Sequence, residues 1–102
     1  MSEQLSLLPE PPFFPLMPTA GTYADIALHD LLARDVTQID WLAEGKGWRL
    51  AAAIKELGYL GWEPDSIPVH TPSRRRPIAL YSLPTKAKQF VASMRQQGGA
   101  HA

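Results

Sequence analysis

Two short apolar segments meet at Gly45-Lys46-Gly47, and that junction limits the possible folds more than any other stretch of the chain. Upstream, Thr37 stands as an N-cap, and Asp40 three residues later can reach back to it in a variant of the capping box. Val36 and Trp41 take the N′ and N4 positions of a hydrophobic staple, while Ile39, Leu42 and Ala43 offer a buried face. The helix this predicts is stopped by glycine after roughly two turns. Downstream, Leu50, Ile54 and Leu57 recur at i, i+4 and i+7, which predicts a helix over 48–57 closed by Gly58 and Gly61. Ala52 and Lys55 point away from that stripe, with Arg49 and Glu56 on one flank; Trp48 also points away, yet its size assigns it to the core. A short helix, a glycine turn and a longer helix with a basic, small-residue outer face form a helix-turn-helix pattern.

The flanking segments extend the pattern. Ala24, Leu28 and Leu31, with Ala27 and Leu32 beside them, predict a helix from Thr22 to Ala33. Asp25 in its first turn and Arg34 in its last complement the macrodipole. After the helix pair, Ile67, Val69 and Thr71 alternate with Pro68 and His70, and residues 78–83 are rich in β-compatible side chains. Pro72-Ser73-Arg74-Arg75 between them predicts a hairpin tip. Pro68 and Pro77 place both strands at edges, because proline cannot donate to a ladder. A last helix over 85–97 carries the stripe Ala87, Phe90, Val91 and Met94. The expected fold is mainly α with one β-hairpin: a winged helix-turn-helix of order α-α-α-β-β-α over residues 22–97, with a disordered tail at 98–102.

Residues 1–21 hold five of the ten prolines, so no helix or sheet should run through them and an extended arm is expected. The arm is also apolar. Phe13, Phe14 and Leu16 are expected to fold back near the first helix, with residues 1–8 mobile.

Charge distribution bears on the partner. The 102 residues have zero net charge, yet all ten acidic residues lie at or before Asp65. Residues 1–65 carry 4 − 10 = −6 and residues 66–102 carry +6 − 0 = +6. One strongly basic end can dock on phosphates. The bland alternative is a solvated charge pattern with no partner. There is no cysteine, which excludes a disulfide framework, a thiol nucleophile and the common structural zinc sites. The start carries no basic n-region and no stretch is long and apolar enough to span a bilayer, so a cytoplasmic protein, nucleoid-associated when bound, is expected.

Residues 36–62 resemble a family of small helix-turn-helix domains common in phage and prophage genes. The likeness rests on Val36-Thr37-Gln38-Ile39-Asp40, Gly47-Trp48-Arg49-Leu50-Ala51-Ala52 and Glu56-Leu57-Gly58-Tyr59-Leu60-Gly61-Trp62, and extends over about residues 28–83. It implies a winged helix and DNA binding. The proline-rich arm and the final helix lie outside the pattern. Within the arm, Gln4-Leu5-Ser6-Leu7-Leu8 resembles peptides by which bacterial proteins dock on the replication sliding clamp. There Gln4 would make polar contacts, Leu5, Leu7 and Leu8 would fill an apolar pocket, and Leu8 departs from the commoner phenylalanine.

The expected DNA-contacting residues are Lys46, Arg49, Ala52 and Lys55 around the third helix, Arg74, Arg75 and Arg76 on the hairpin tip, and Lys86 and Lys88 in the last helix. The two lysines oppose the dipole where they stand, which helix stability does not explain. Arg49 paired with an acidic neighbour and Lys55 merely solvated are the competing readings. His29, His70 and His101 stand apart in sequence, and the aspartates at 25, 30, 35 and 40 recur every five residues, which does not keep them on one helical face. No catalytic group, metal site or cofactor is expected. The sequence reads as a double-stranded DNA-binding regulator or DNA-processing accessory of phage type, and not as an enzyme. The rivals are a protein-interaction adaptor on the same fold and a structural protein of a phage particle. A homodimer through the last helix is a further expectation.

Overall fold

The computed structural model describes residues 13–72 and 74–99, with side chains as far as residue 96. Its elements are α1 (Tyr23–Ala33), β1 (Val36–Thr37), α2 (Gln38–Ala43), α3 (Leu50–Tyr59), β2 (Asp65–Val69), β3 (Ile78–Ser82) and α4 (Thr85–Gly99). Among the described residues, four helices and one three-stranded antiparallel sheet make a mixed α/β fold.

The core begins with α1. The Thr22 hydroxyl caps it by accepting from the Asp25 N–H, and the Asp25 carboxylate accepts from Gly21 N–H at 2.9 Å. Ala24, Ala27, Leu28 and Leu31 are buried in one cluster with Leu50, Ala53, Ile54 and Leu57 of α3. This is the face that each helix's apolar spacing predicts.

The expectation of a two-stranded hairpin is corrected by β1. Val36 pairs with Tyr81 and Thr37 with Leu80, so β3 is the central strand of an order β1-β3-β2. Two residues are too few to show a period, and their spacing announced only a helix start. Thr37 serves both purposes. Its extended backbone (φ −117°, ψ 167°) joins the ladder while its side chain accepts from Asp40 N–H and Asp40 reaches back, completing the capping box. Pro68 does lie on the edge strand β2, whereas Pro77 precedes β3 and leaves its ladder intact.

The α2 face also differs. Trp41 is the buried residue of this helix, while Ile39 and Leu42 are half-buried and Ala43 is exposed. So short a helix meets the core at one point, and the large indole makes that contact. Truncating such a residue typically costs about 3–5 kcal/mol.

The third helix starts at Leu50 rather than Trp48, because Gly47 takes φ +83° and Arg49 is the non-helical N-cap. It continues through Gly58 and closes at Gly61 (φ +97°), where Trp62 N–H donates to Leu57 O at 3.0 Å and Gly61 N–H to Gly58 O at 3.1 Å. That pair of bonds is a Schellman motif, with Leu57 and Trp62 both fully buried as its apolar contact.

The last helix reaches Gly99, so Gly98 and Gly99 belong to it rather than to a frayed tail. Ala87 and Val91 are buried in the common core and Phe90 packs against it, leaving Met94 43% exposed. Three of the four residues in the stripe expected to meet a second copy are thus used within the chain.

The arm residues from 13 onward do fold back: Phe13 packs on Trp62 and α4, while Met17 lines a cavity with Leu28, His29 and Leu32 of α1. The Phe13 ring meets Trp62 and Phe90 edge-on at 6.3 and 5.8 Å. Trp62 Nε1 donates to the Leu16 carbonyl at 2.8 Å, and Leu16 N–H donates to the Leu60 carbonyl at 2.8 Å. Pro15 and Pro18 are buried, whereas the Phe14 and Leu16 side chains stay exposed. A proline has no N–H to leave unpaired, so it can be buried at no hydrogen-bonding cost. Residues Gln4, Leu5, Leu7 and Leu8, and the mobility expected of 1–8, lie outside the described residues.

Candidate nucleic-acid interface

The turn between α2 and α3 is held from several sides. Gly45 takes φ +75°, Lys46 N–H donates to Trp41 O at 2.8 Å and Gly45 N–H to Leu42 O at 3.1 Å, a second Schellman motif. Gln38 Nε2 on α2 donates to the Gly47 carbonyl at 2.6 Å. Lys46 Nζ donates to Asp30 Oδ2 at 2.7 Å and Glu44 Oε1 at 2.9 Å. Asp30 Oδ2 also accepts from the buried Trp41 Nε1 at 3.0 Å. The hydrogen bond to Asp30, then that to Glu44, raises the Lys46 pKa above its ordinary value of 10.5. Glu44 is paired in addition with Arg34. Lys46, expected at a DNA surface, is therefore a structural cation that ties the turn to α1.

Beyond the turn, Trp48 is 70% exposed. The reading of it as core is corrected: with Gly47 at positive φ and the helix starting at Leu50, the indole never reaches the Leu50–Leu57 stripe. Arg49, Ala52 and Lys55 are all exposed, as expected. The Arg49 guanidinium lies 5.8 Å from the Tyr23 ring centroid, and Lys55 Nζ lies 5.9 Å from that of Tyr59, itself 78% exposed. Such cation–π contacts at exposed sites are worth about 0.5–1 kcal/mol and leave the charge available.

Arg74, Arg75 and Arg76 are exposed on the loop between β2 and β3, where Arg74 N–H donates to Thr71 O at 3.2 Å. In α4, Lys88 is exposed, while Lys86 Nζ pairs with Glu63 Oε1 at 2.9 Å and sits 5.2 Å from the Phe13 ring centroid. That placement gives Lys86 a local use: it bridges α4 to the arm. Among the described residues, Arg49, Lys55, Arg74, Arg75, Arg76 and Lys88 form no ion pair.

The structure thus sorts the nine expected contacts. Two lysines join acidic partners, and the cations of α3 and of the β2–β3 loop stand outward. Trp48 and Tyr59 are exposed neighbours that sequence reasoning missed. Tyr59 had a signal, since it falls seven residues after Ala52 on the outward side of α3. Among the described residues, no three His, Asp or Glu side chains come together as a metal site, and no helix is long and apolar enough to cross a membrane. No family model, curated protein or solved structure compared with the chain matches it.

Proposed function

We propose that the chain is a winged helix-turn-helix protein that binds double-stranded DNA. In this reading α3 lies in the major groove and the β2–β3 loop is the wing. Support for the fold comes from the order α1-β1-α2-α3-β2-β3-α4: a helix pair joined by a tight turn, followed by a hairpin whose central strand also holds a short strand after the first helix. The observation that carries the function is the three exposed, unpaired arginines in a row on the hairpin loop. Adjacent like charges repel, and an anionic surface relieves that repulsion. An adaptor that docks on protein has no need of such a cluster, so the DNA reading is preferred. A phage-type regulator or DNA-processing accessory is the role that fits.

The test is binding of the purified chain to a random duplex of about 20 base pairs, followed by fluorescence anisotropy across a salt series. Log K should fall linearly with log salt, with a slope of about −0.9 per phosphate neutralised. Absence of binding at low salt would leave the adaptor reading in its place.

A further inference from the structure

Trp48 differs from the two other tryptophans. Trp41 and Trp62 are fully buried and each donates its indole N–H, to Asp30 and to the Leu16 carbonyl. Trp48 is 70% exposed and makes no hydrogen bond or aromatic contact among the described residues. Leaving that much apolar surface in water is unfavourable, at about 25 cal/mol per Å². Yet the indole does not hang on a loose loop. The turn before it is fixed by the Schellman bonds of Gly45 and Lys46, by Lys46 on Asp30, and by Gln38 on the carbonyl of Gly47, the residue next to Trp48. A large aromatic presented from a fixed backbone with nothing against it is the form of a binding anchor, since little backbone entropy remains to be lost when a partner covers it.

We propose, resting on the DNA-binding reading, that Trp48 is a specificity-determining residue that packs against the C5 methyl group of a thymine. It stands two residues ahead of α3, beside the leading end of the helix, which is the part of a recognition helix that meets base edges. Arg49 follows it, and the next outward residues are Ala51 and Ala52, too short to keep a duplex away. The thymine methyl is the one apolar feature on the base edges of the major groove, and an indole can bury it but cannot read a donor–acceptor pattern through its face. The adjacent Arg49 matches guanine O6 and N7, so the preferred site should contain thymine and guanine close together.

The test uses a preferred duplex selected from a random pool. Each thymine in it is replaced singly by deoxyuridine, which removes only the methyl group. With the unmodified chain, one position should cost about fourfold in affinity, the worth of one buried methyl group. With Trp48→Ala that penalty should vanish, whatever the overall affinity, and Trp48→Phe should restore part of it. Acrylamide quenching gives an independent readout, because Trp48 is the accessible indole of the three and bound duplex should shield it. A duplex that binds without shielding Trp48, or a deoxyuridine penalty that persists in Trp48→Ala, overturns the thymine contact while leaving DNA binding intact. Failure to bind any duplex overturns both.

Discussion

Removing the Asp30 carboxylate should unlatch the turn that leads into α3, and the size of the effect can be worked from its partners. Asp30 Oδ2 accepts from Trp41 Nε1 at 3.0 Å and from Lys46 Nζ at 2.7 Å. In Asp30→Ala the indole N–H of a fully buried tryptophan loses its acceptor, which costs about 1–3 kcal/mol. Loss of the partly exposed ion pair adds about 0.2–1 kcal/mol, at the lower end because Glu44 still holds Lys46. Alanine is a better helix former than aspartate by up to about 0.7 kcal/mol, and removing a negative charge near the end of α1 is mildly favourable, so part of the cost is offset. The net destabilisation should be about 2 kcal/mol, or a fall in Tm of about 8–16 °C for a domain of this size. Asp30→Asn keeps an oxygen for the indole and should cost about 1 kcal/mol or less. Urea denaturation followed by tryptophan fluorescence gives both numbers, provided the slope m is unchanged. An alanine variant within about 0.5 kcal/mol of the parent, or an asparagine variant as unstable as the alanine one, would refute the bridging role of Asp30.

Thr37→Ala should lose about 1 kcal/mol by urea denaturation, because it removes the capping box that starts α2 while β1 keeps its backbone pairing. Gly61→Ala should cost more than about 1 kcal/mol, since φ +97° strains any L side chain and the new methyl group would sit 3.4 Å from the Pro15 Cα; limited proteolysis should then cut more readily between residues 13 and 18. For Lys46, partners raise the folded-state pKa, so its stabilisation is complete below the ordinary value of 10.5 and is lost as pH rises through the higher folded value. The gap in Tm between the parent and Lys46→Met should accordingly be constant through neutral pH and shrink above about pH 10.5.

Most of the helical frame was legible in the chain because it depends on local rules. The stripes of α1 and α3, the Thr37 cap and the glycine stop at Gly45 each need only a few neighbouring residues. What escaped depends on distant partners. β1 is two residues long and becomes a strand only because Tyr81 and Leu80 lie beside it. Phe13 chose Trp62 and Phe90, contacts across the whole chain that no local pattern encodes. Among the candidate contacts, a lysine's charge is visible in sequence but its partner is not. Lys46 met Asp30 sixteen residues away, and Lys86 met Glu63. Trp48 was misread because a large aromatic beside an apolar helix usually joins its core, and the positive φ of Gly47 turned it outward.

The central claim is that the β2–β3 loop meets phosphates, and the salt dependence of Arg74→Ala/Arg75→Ala/Arg76→Ala tests it most directly. The three side chains are exposed and unpaired among the described residues, so the variant should fold with unchanged stability. Its affinity should drop on every duplex alike, and the slope of log K against log salt should become shallower by about 0.9 for each arginine that had held a phosphate, up to about 2.7. A variant that binds duplex with the parent's slope would remove the loop from the interface and contradict the account.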